Sequence, residues 1–314
     1  MSGALKFTVQ YPLAVQGYTP EFLGPQAMTR FARAAEEAGF DAIAVTDHPI
    51  PSEKWIRSGG HDGFDLTTAL AFCAAVTDRI KLMTYAMVLP YRNPFLVAKA
   101  MSTLDHLSQG RAILTAGVGY LKSEFAAVGV NFEERHELFD EAIEVMRGAW
   151  THRGYRYEGR HFTSLAQTAL PFPVQEGGVP VWIAGNAPRA LTRAATVGQG
   201  WAPLLIDQEK ASTVRTTPIP TVAALTRAID ELRDLTEAAG RTRNAVEVQI
   251  EGPDSKVLVH GGSLDEHRDR LHDFNQAGVG WFVLDTPATT VDEAIDALHH
   301  YGDAVISRME RKSG

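Results

Sequence analysis

The stretch Phe31-Ala-Arg-Ala-Ala-Glu-Glu-Ala-Gly-Phe-Asp-Ala-Ile-Ala-Val-Thr46 contains the repeating unit of the fold. Its first half sets Phe31 and several alanines at helical spacing and stops at Gly39, where a helix C-terminus favours glycine. Its second half, 41–46, is a short apolar run of strand length, read as a strand buried on both faces. A helix that feeds straight into a buried strand is half of a β/α unit, and the alternation recurs along the chain. Strands are expected at 5–11, 41–46, 79–89, 111–116, 179–184, 200–205, 246–250 and 280–285. Helices are expected after them at 20–38, 64–77, 94–107, 133–150, 188–197, 221–239, 263–277 and 291–309. Eight units in a chain of 314 residues match a closed (β/α)8 barrel, an α/β TIM barrel forming one domain over 1–314. An open doubly wound sheet fits less well, because the first strand runs into Gln10-Tyr-Pro-Leu-Ala-Val-Gln16 without a glycine-rich turn.

Composition narrows the function. The 30 Lys and Arg against 38 Asp and Glu give a net charge of −8, which argues against a nucleic-acid binder that tracks phosphates. No run approaches the roughly 18 apolar residues of a membrane span, and the N-terminus enters a strand without a signal-peptide core. The single cysteine, Cys73, lies in the apolar run 69–76 and reads as a buried structural thiol. A soluble, cytoplasmic protein acting on a small molecule, with neither nucleic-acid nor membrane partner, is expected.

Chemistry in such barrels gathers at the C-terminal ends of the strands. The second strand ends in Thr46-Asp-His-Pro49, placing His48 where an imidazole can serve as acid or base, or Asp47 can simply cap the next turn. The third ends in an apolar stretch, Met83-Thr-Tyr-Ala-Met-Val-Leu-Pro90, suited to a flat ligand or to an upper packing layer. The fourth ends in Gly117-Val-Gly-Tyr120, where glycines let a ligand approach the backbone, although Lys122 breaks the dinucleotide fingerprint and plain turn chemistry explains it about as well. The fifth ends in Ala184-Gly-Asn-Ala-Pro188, either an ordinary connection or a helix start with N–H groups free for phosphate. His61-Asp62 reads as solvated loop, and one carboxylate beside one imidazole builds no metal site. Long connections at 49–63, 119–132 and 151–178 stand out; the first and third are expected to shape a substrate pocket, and the third either forms a hairpin or crosses the barrel mouth. Trp55, Tyr91 and Trp201 read as wall or packing residues. Together these features suit a planar cofactor with a phosphate tail.

The block Asn93-Pro-Phe-Leu-Val-Ala-Lys-Ala-Met-Ser-Thr-Leu-Asp-His-Leu-Ser-Gln-Gly-Arg111, with Ala116-Gly-Val-Gly-Tyr-Leu121 and Glu133-Glu-Arg135, resembles the luciferase-like monooxygenase superfamily of flavin and deazaflavin oxidoreductases. The resemblance spans nearly the whole chain, and Asp47-His48 is similar to the branch that uses coenzyme F420, an 8-hydroxy-5-deazaflavin. It implies His48 as the catalytic imidazole and Asp47 in contact with the cofactor ring. It implies a non-prolyl cis peptide at Tyr85-Ala86 behind the ring. It further implies Gly117, Val118, Gly119 and Tyr120 facing ring and ribityl chain, and Ala184, Gly185, Asn186 and Ala187 holding the phosphate. Hydride transfer between F420 and a small organic substrate is the implied reaction; an FMN-dependent monooxygenase is the alternative, and a homodimer is the implied assembly. In one respect the chain departs from the sugar-phosphate dehydrogenases of this branch. Where they carry a glutamate after the strand-four glycines, Lys122 falls in the equivalent place, and Glu124 reaches it only if the loop is re-registered, which argues against sugar-phosphate oxidation.

Overall fold

The computed structural model describes residues 3–310. The elements run β1 (Lys6–Gln10), α1 (Pro25–Glu37), β2 (Ala42–Val45), α2 (Glu53–Arg57), α3 (Leu66–Val76), β3 (Lys81–Val88), α4 (Pro94–Leu107), β4 (Ala112–Gly117), α5 (Lys122–Ala127) and α6 (Arg135–Thr151). They continue with β5 (Tyr155–Glu158), β6 (Thr163–Gln167), β7 (Val181–Ala184), α7 (Pro188–Val197), β8 (Gly200–Ala202), α8 (Gln208–Thr213) and α9 (Val222–Ala238). The last are β9 (Glu247–Ile250), α10 (Val257–His260), α11 (Leu264–Ala277), β10 (Trp281–Leu284), α12 (Val291–Tyr301) and α13 (Ser307–Glu310). Eight strands close a parallel barrel in the order β1-β10-β9-β8-β7-β4-β3-β2, and β5 and β6 form a separate antiparallel pair. The expected barrel is therefore the observed one. No helix among the described residues is long and apolar enough to cross a membrane.

Alternation along the strands separates two cores. Phe7, Val9, Ile43, Leu82, Leu114, Ile183 and Phe282 are buried in the large cluster that packs strands against helices. Ala42, Ala44, Met83, Tyr85, Ile113, Trp182, Ala202, Trp281 and Val283 form a second cluster of alternate strand residues, the filling of the barrel. Large and small side chains interlock there. Trp182 stands edge-on to Trp281 at 5.3 Å, and a Cβ on Gly200 would fall 2.2 Å from the Trp182 indole, so only glycine fits. Thr8 Oγ1 donates to Gln249 Oε1 at 2.7 Å across this interior.

Helix ends follow local chemistry. Asn93, Thr221, Ser263 and Thr290 cap α4, α9, α11 and α12 through side-chain oxygens. The helix expected at 20–38 instead breaks into a 3-10 turn, Pro20–Leu23, and α1. Pro25 forces Gly24 into an extended backbone, ψ 148°, so one continuous helix is impossible. The signature block proves to be scaffold. Arg111 donates through Nε and both terminal nitrogens to the carbonyls of Ser108, Ile80, Ala74 and Thr77 and to the Thr77 hydroxyl, locking α3, β3 and β4 together. Asp105 accepts from the backbone N–H and side-chain amide of Gln175, which ties down the connection 151–178. That connection is the hairpin β5–β6; it lies on α6 through Glu141, which accepts the His161 and Phe162 N–H groups.

A buried base sits on the far side of this scaffold. His267 on α11 has no solvent exposure, and its Nε2 meets the Tyr301 hydroxyl at 2.9 Å. Burial holds its pKa down to about 4, against the ordinary 6.5. Between these values the unfolded chain binds a proton that the folded chain refuses, so stability falls as pH drops from about 6.5 towards 4. The shift corresponds to about 3 kcal/mol at its limit. Urea unfolding of wild type and His267→Leu at pH 7 and pH 4.5 should show a loss about 2 kcal/mol or more larger in wild type. Equal losses in the two proteins would remove His267 as the cause.

Candidate active site

A cavity of about 510 Å³ opens at the C-terminal ends of the barrel strands, and the end of β3 and the turns after β2, β4 and β7 all reach it. Thr46, Asp47 and His48 follow β2 directly, so a strand buried on both faces delivers an imidazole to the floor of the mouth. His48 is 8% exposed. Its Nδ1 lies 3.2 Å from Glu124 Oε2 and its Nε2 lies 3.4 Å from the Tyr120 hydroxyl. The Trp55 indole packs on the imidazole with centroids 4.4 Å apart, and His61 meets it edge-on at 4.9 Å.

Glu124 has no solvent exposure, and both of its carboxylate oxygens are engaged. Its Oε2 also accepts from the Tyr91 hydroxyl at 3.1 Å, and its Oε1 accepts the Ile50 N–H at 3.3 Å. With a carboxylate at Nδ1, the neutral imidazole keeps its proton there and presents the Nε2 lone pair to the cavity. The Tyr120 phenol is pushed up to about 12 by burial and then by the Glu124 charge, so it stays uncharged beside Nε2, at a distance that leaves the lone pair open to a substrate. Burial comes first for His61 too and lowers its pKa, which keeps a second positive charge away from His48.

Here the structure corrects the residue assignment after β4. Lys122 is on the surface, paired with Glu133 at 3.2 Å, whereas Glu124 points inward. The connection is the short helix α5, and residues two apart on a helix face opposite ways, so the inward place falls to Glu124. His61 is corrected as well: it lines the cavity beside His48 instead of lying in a solvated loop. Of 49–63, Gly59 and His61 line the cavity; none of 151–178 does, because the hairpin is held on the helical layer. Trp201 is fully buried, with Nε1 donating to the Gly185 carbonyl, and is packing. Tyr91 acts through Glu124, and Trp55 through His48.

Asp47 lines the cavity, but both oxygens are engaged. Arg92 binds it with two N–H groups at 2.6 and 2.7 Å, and Oδ2 also accepts the Val88 N–H at 2.7 Å. The peptide Tyr85-Ala86 is cis, and the β3–β4 register shifts between Thr84 and Met87, so the strand bulges at the mouth. Ala86, Gly117, Val118, Ala184 and Ala202 make an adjoining wall of small side chains and open backbone. Gly119 is at φ +78°, and a Cβ there would sit 2.6 Å from the Val88 side chain, so the turn after β4 requires glycine.

The turn after β7 behaves differently from its expected form. Ala184, Gly185 and Ala187 line the cavity, but the Gly185 N–H is spent on the Ala202 carbonyl and the Asn186 N–H on the Thr216 hydroxyl. The Asn186 side chain ties down Leu204 and Thr217. The start of α7 has no side-chain cap, and around it stand four guanidinium groups, those of Arg135, Arg189, Arg193 and Arg215. Asp140 pairs with two of them, Arg193 at 2.5 Å and Arg189 at 2.9 Å. This end of the cavity is rich in cationic side chains. Arg189, Arg193 and Arg215 went unnoticed in the sequence because they come from a helix and a loop with no spacing that relates them.

The opposite side carries Gln10, Glu251 and Asp285, the residues at or just past the ends of β1, β9 and β10. Sequence reasoning overlooked these too. The available signal was a polar residue closing an apolar strand on the mouth side.

The barrel mouth thus combines a wall of small side chains, a carboxylate-held imidazole and a set of arginines around one cavity. The chain belongs to the luciferase-like monooxygenase family, whose sequence profile matches residues 6–253. Curated relatives are named F420-dependent glucose-6-phosphate dehydrogenase. The protein of Nocardia farcinica is 35% identical over 58% of this chain, a match that covers 54% of the relative, about half its length. That of Gordonia bronchialis is 27% identical over 92% of this chain and 88% of its own. Among solved structures, the monooxygenase RslO1 from Streptomyces bottropensis superposes with a TM-score of 0.78 at 20% identity, covering 97% of this chain and 99% of that one. An F420-dependent secondary alcohol dehydrogenase bound to an F420-acetone adduct gives 0.75 at 17% identity, with the same coverage. At these identities the superpositions establish the fold.

Proposed function

We propose that this protein is an F420-dependent oxidoreductase that transfers a hydride between the deazaflavin and a small organic substrate, with His48 as acid and base. The observation that carries the reading is the placement of His48. Its Nε2 is presented to a cavity whose rim is cationic, while Glu124 holds Nδ1 from behind. The names of the curated relatives support the choice of cofactor.

The residues present fit such a group. A ring system can lie against Ala86, Gly117 and Val118, where side chains are too small to obstruct it, and an anionic tail can reach the arginines around the start of α7. When bound, the deazaflavin supplies hydride acceptance or donation at its ring. The protein supplies the rest. Burial excludes water, the wall fixes orientation, and orientation can account for much of the acceleration. In the oxidising direction the substrate hydroxyl passes its proton to His48 Nε2. The resulting imidazolium is stabilised by the Glu124 carboxylate at Nδ1. In the reducing direction the same nitrogen returns the proton.

Titration of the apo-protein with F420 and with FMN, followed by fluorescence, tests the cofactor. F420 should bind at least about tenfold more tightly. Removing two rim cations with Arg135→Gln/Arg215→Gln should weaken F420 by about tenfold or more and flatten the dependence on salt, since a charge-assisted hydrogen bond is worth about 1.5–3 kcal/mol. Tighter FMN binding with substrate-dependent oxygen uptake would replace the proposal with a flavin monooxygenase.

A further inference from the structure

The carboxylates at the β9–β10 side of the cavity have no role in the mechanism above, and their environment points to the substrate. Strands β9 and β10 are neighbours in the barrel, with Trp281 beside Gln249 and Phe282 beside Ile250. Glu251 and Asp285 each follow the last residue of their strand, so both reach the same stretch of the mouth, and both line the cavity. The Gln10 side-chain amide donates to Asp285 Oδ1 at 3.1 Å. Lys256 is the one ammonium group on this side, against two carboxyl groups.

Tyr85 supplies a second, independent observation. It is 8% exposed, it lines the cavity, and its hydroxyl has no hydrogen-bond partner within normal geometry, though it approaches Glu251. A buried phenol left without a partner is costly unless a ligand completes it. Two carboxyl groups and the Tyr85 side chain, its hydroxyl buried close to Glu251, therefore line the same cavity as His48. Burial and then the Asp285 charge push the Glu251 carboxyl up to about 7, and burial raises Asp285. Both shifts withdraw charge, so near neutral pH Glu251 is part-protonated and can donate as well as accept, while the pair still presents carboxyl oxygens to a ligand.

Charge in the cavity is divided. All four guanidinium groups stand at the far end, where the proposed cofactor tail takes them up, and the carboxylates stand at the substrate end. A phosphate on the substrate would meet two carboxyl groups and a single ammonium. A hydroxyl group would meet acceptors that it can satisfy. We propose that Glu251, Asp285 and Tyr85 form the substrate-recognition end of the cavity, which accepts an uncharged, hydroxyl-bearing compound and rejects a phosphorylated one. The inference rests on the proposed deazaflavin reading only in assigning the arginine end to the cofactor. It separates this chain from the activity for which its curated relatives are named.

Glucose and glucose 6-phosphate differ by the phosphate alone and are the probes. Calorimetric titration of the F420-loaded protein with each, for wild type and Glu251→Gln/Asp285→Asn, measures the discrimination without requiring turnover. The double variant should gain at least about tenfold in affinity for glucose 6-phosphate while gaining nothing for glucose, and Tyr85→Phe should weaken glucose without helping the phosphate. No gain for glucose 6-phosphate in the double variant, or wild-type protein that binds it more tightly than glucose, overturns the inference. F420 affinity measured in the same preparations is a separate readout. If F420 fails to bind, the cofactor proposal falls, and the sugar titrations on apo-protein still decide the role of the carboxylates.

Discussion

Replacing His48 by alanine is expected to lower turnover by about 10²–10⁴-fold, the usual worth of a positioned acid or base. F420 affinity should stay within about tenfold, because the ring wall and the arginine rim are made by other residues. The reason for so large an effect is the lack of a substitute at that spot. Tyr120 is held protonated by burial, and Glu124 is turned away behind the imidazole with its oxygens engaged. Glu124→Gln should reproduce part of the loss and, unlike a purely structural change, shift the pH profile. An amide nitrogen at that place can donate to Nδ1, which favours the tautomer with its proton on Nε2, the wrong nitrogen for accepting one. Alanine at position 48 with full turnover would remove the imidazole from the mechanism.

The second large effect is on stability. Arg92→Met should destabilise the fold by about 3–5 kcal/mol, the cost of leaving a buried carboxylate without its cation. The Asp47 side chain is 2% exposed and depends on a two-pronged guanidinium contact, with the Val88 N–H as its other donor. Asp47→Asn combined with Arg92→Met should recover a good part of the loss, since the uncompensated charge goes with it. The urea midpoint should fall in the single variant with little change in slope. A loss under about 1 kcal/mol would show that Asp47 finds water or another donor. Because Asp47 also holds β3 through Val88, the variant should loosen the bulge that carries Tyr85 and Ala86 into the cavity.

The scaffold was largely legible in the chain. Helical spacing, Gly39 and the apolar runs at 41–46 and 111–116 anticipated a closed ring of eight strands because each follows from local periodicity and burial. Inside the expected connections the reading was blind to α2, α5 and α8, which are five or six residues long and too short for periodicity to register. The misassignment of Lys122 follows from that blindness. Once α5 exists, its geometry sends Lys122 outward and Glu124 to His48, and nothing in the linear spacing says so.

The same division holds for the chemistry. That His48 stands at a strand end, that Gly117 and Gly119 open the backbone, and that small residues follow the fifth barrel strand are properties of consecutive residues, and local rules suffice to read them. Which groups meet there depends on long-range closure of the barrel. Glu124 reaches His48 across 76 positions, Gln10 reaches Asp285 across 275, and Arg135 and Arg189 arrive at one rim from different helices. Proton placement, charge separation and the burial that raises Glu251 and Asp285 arise from those distant meetings, since electrostatic energy depends on distance in space and on exclusion of water, not on distance along the chain.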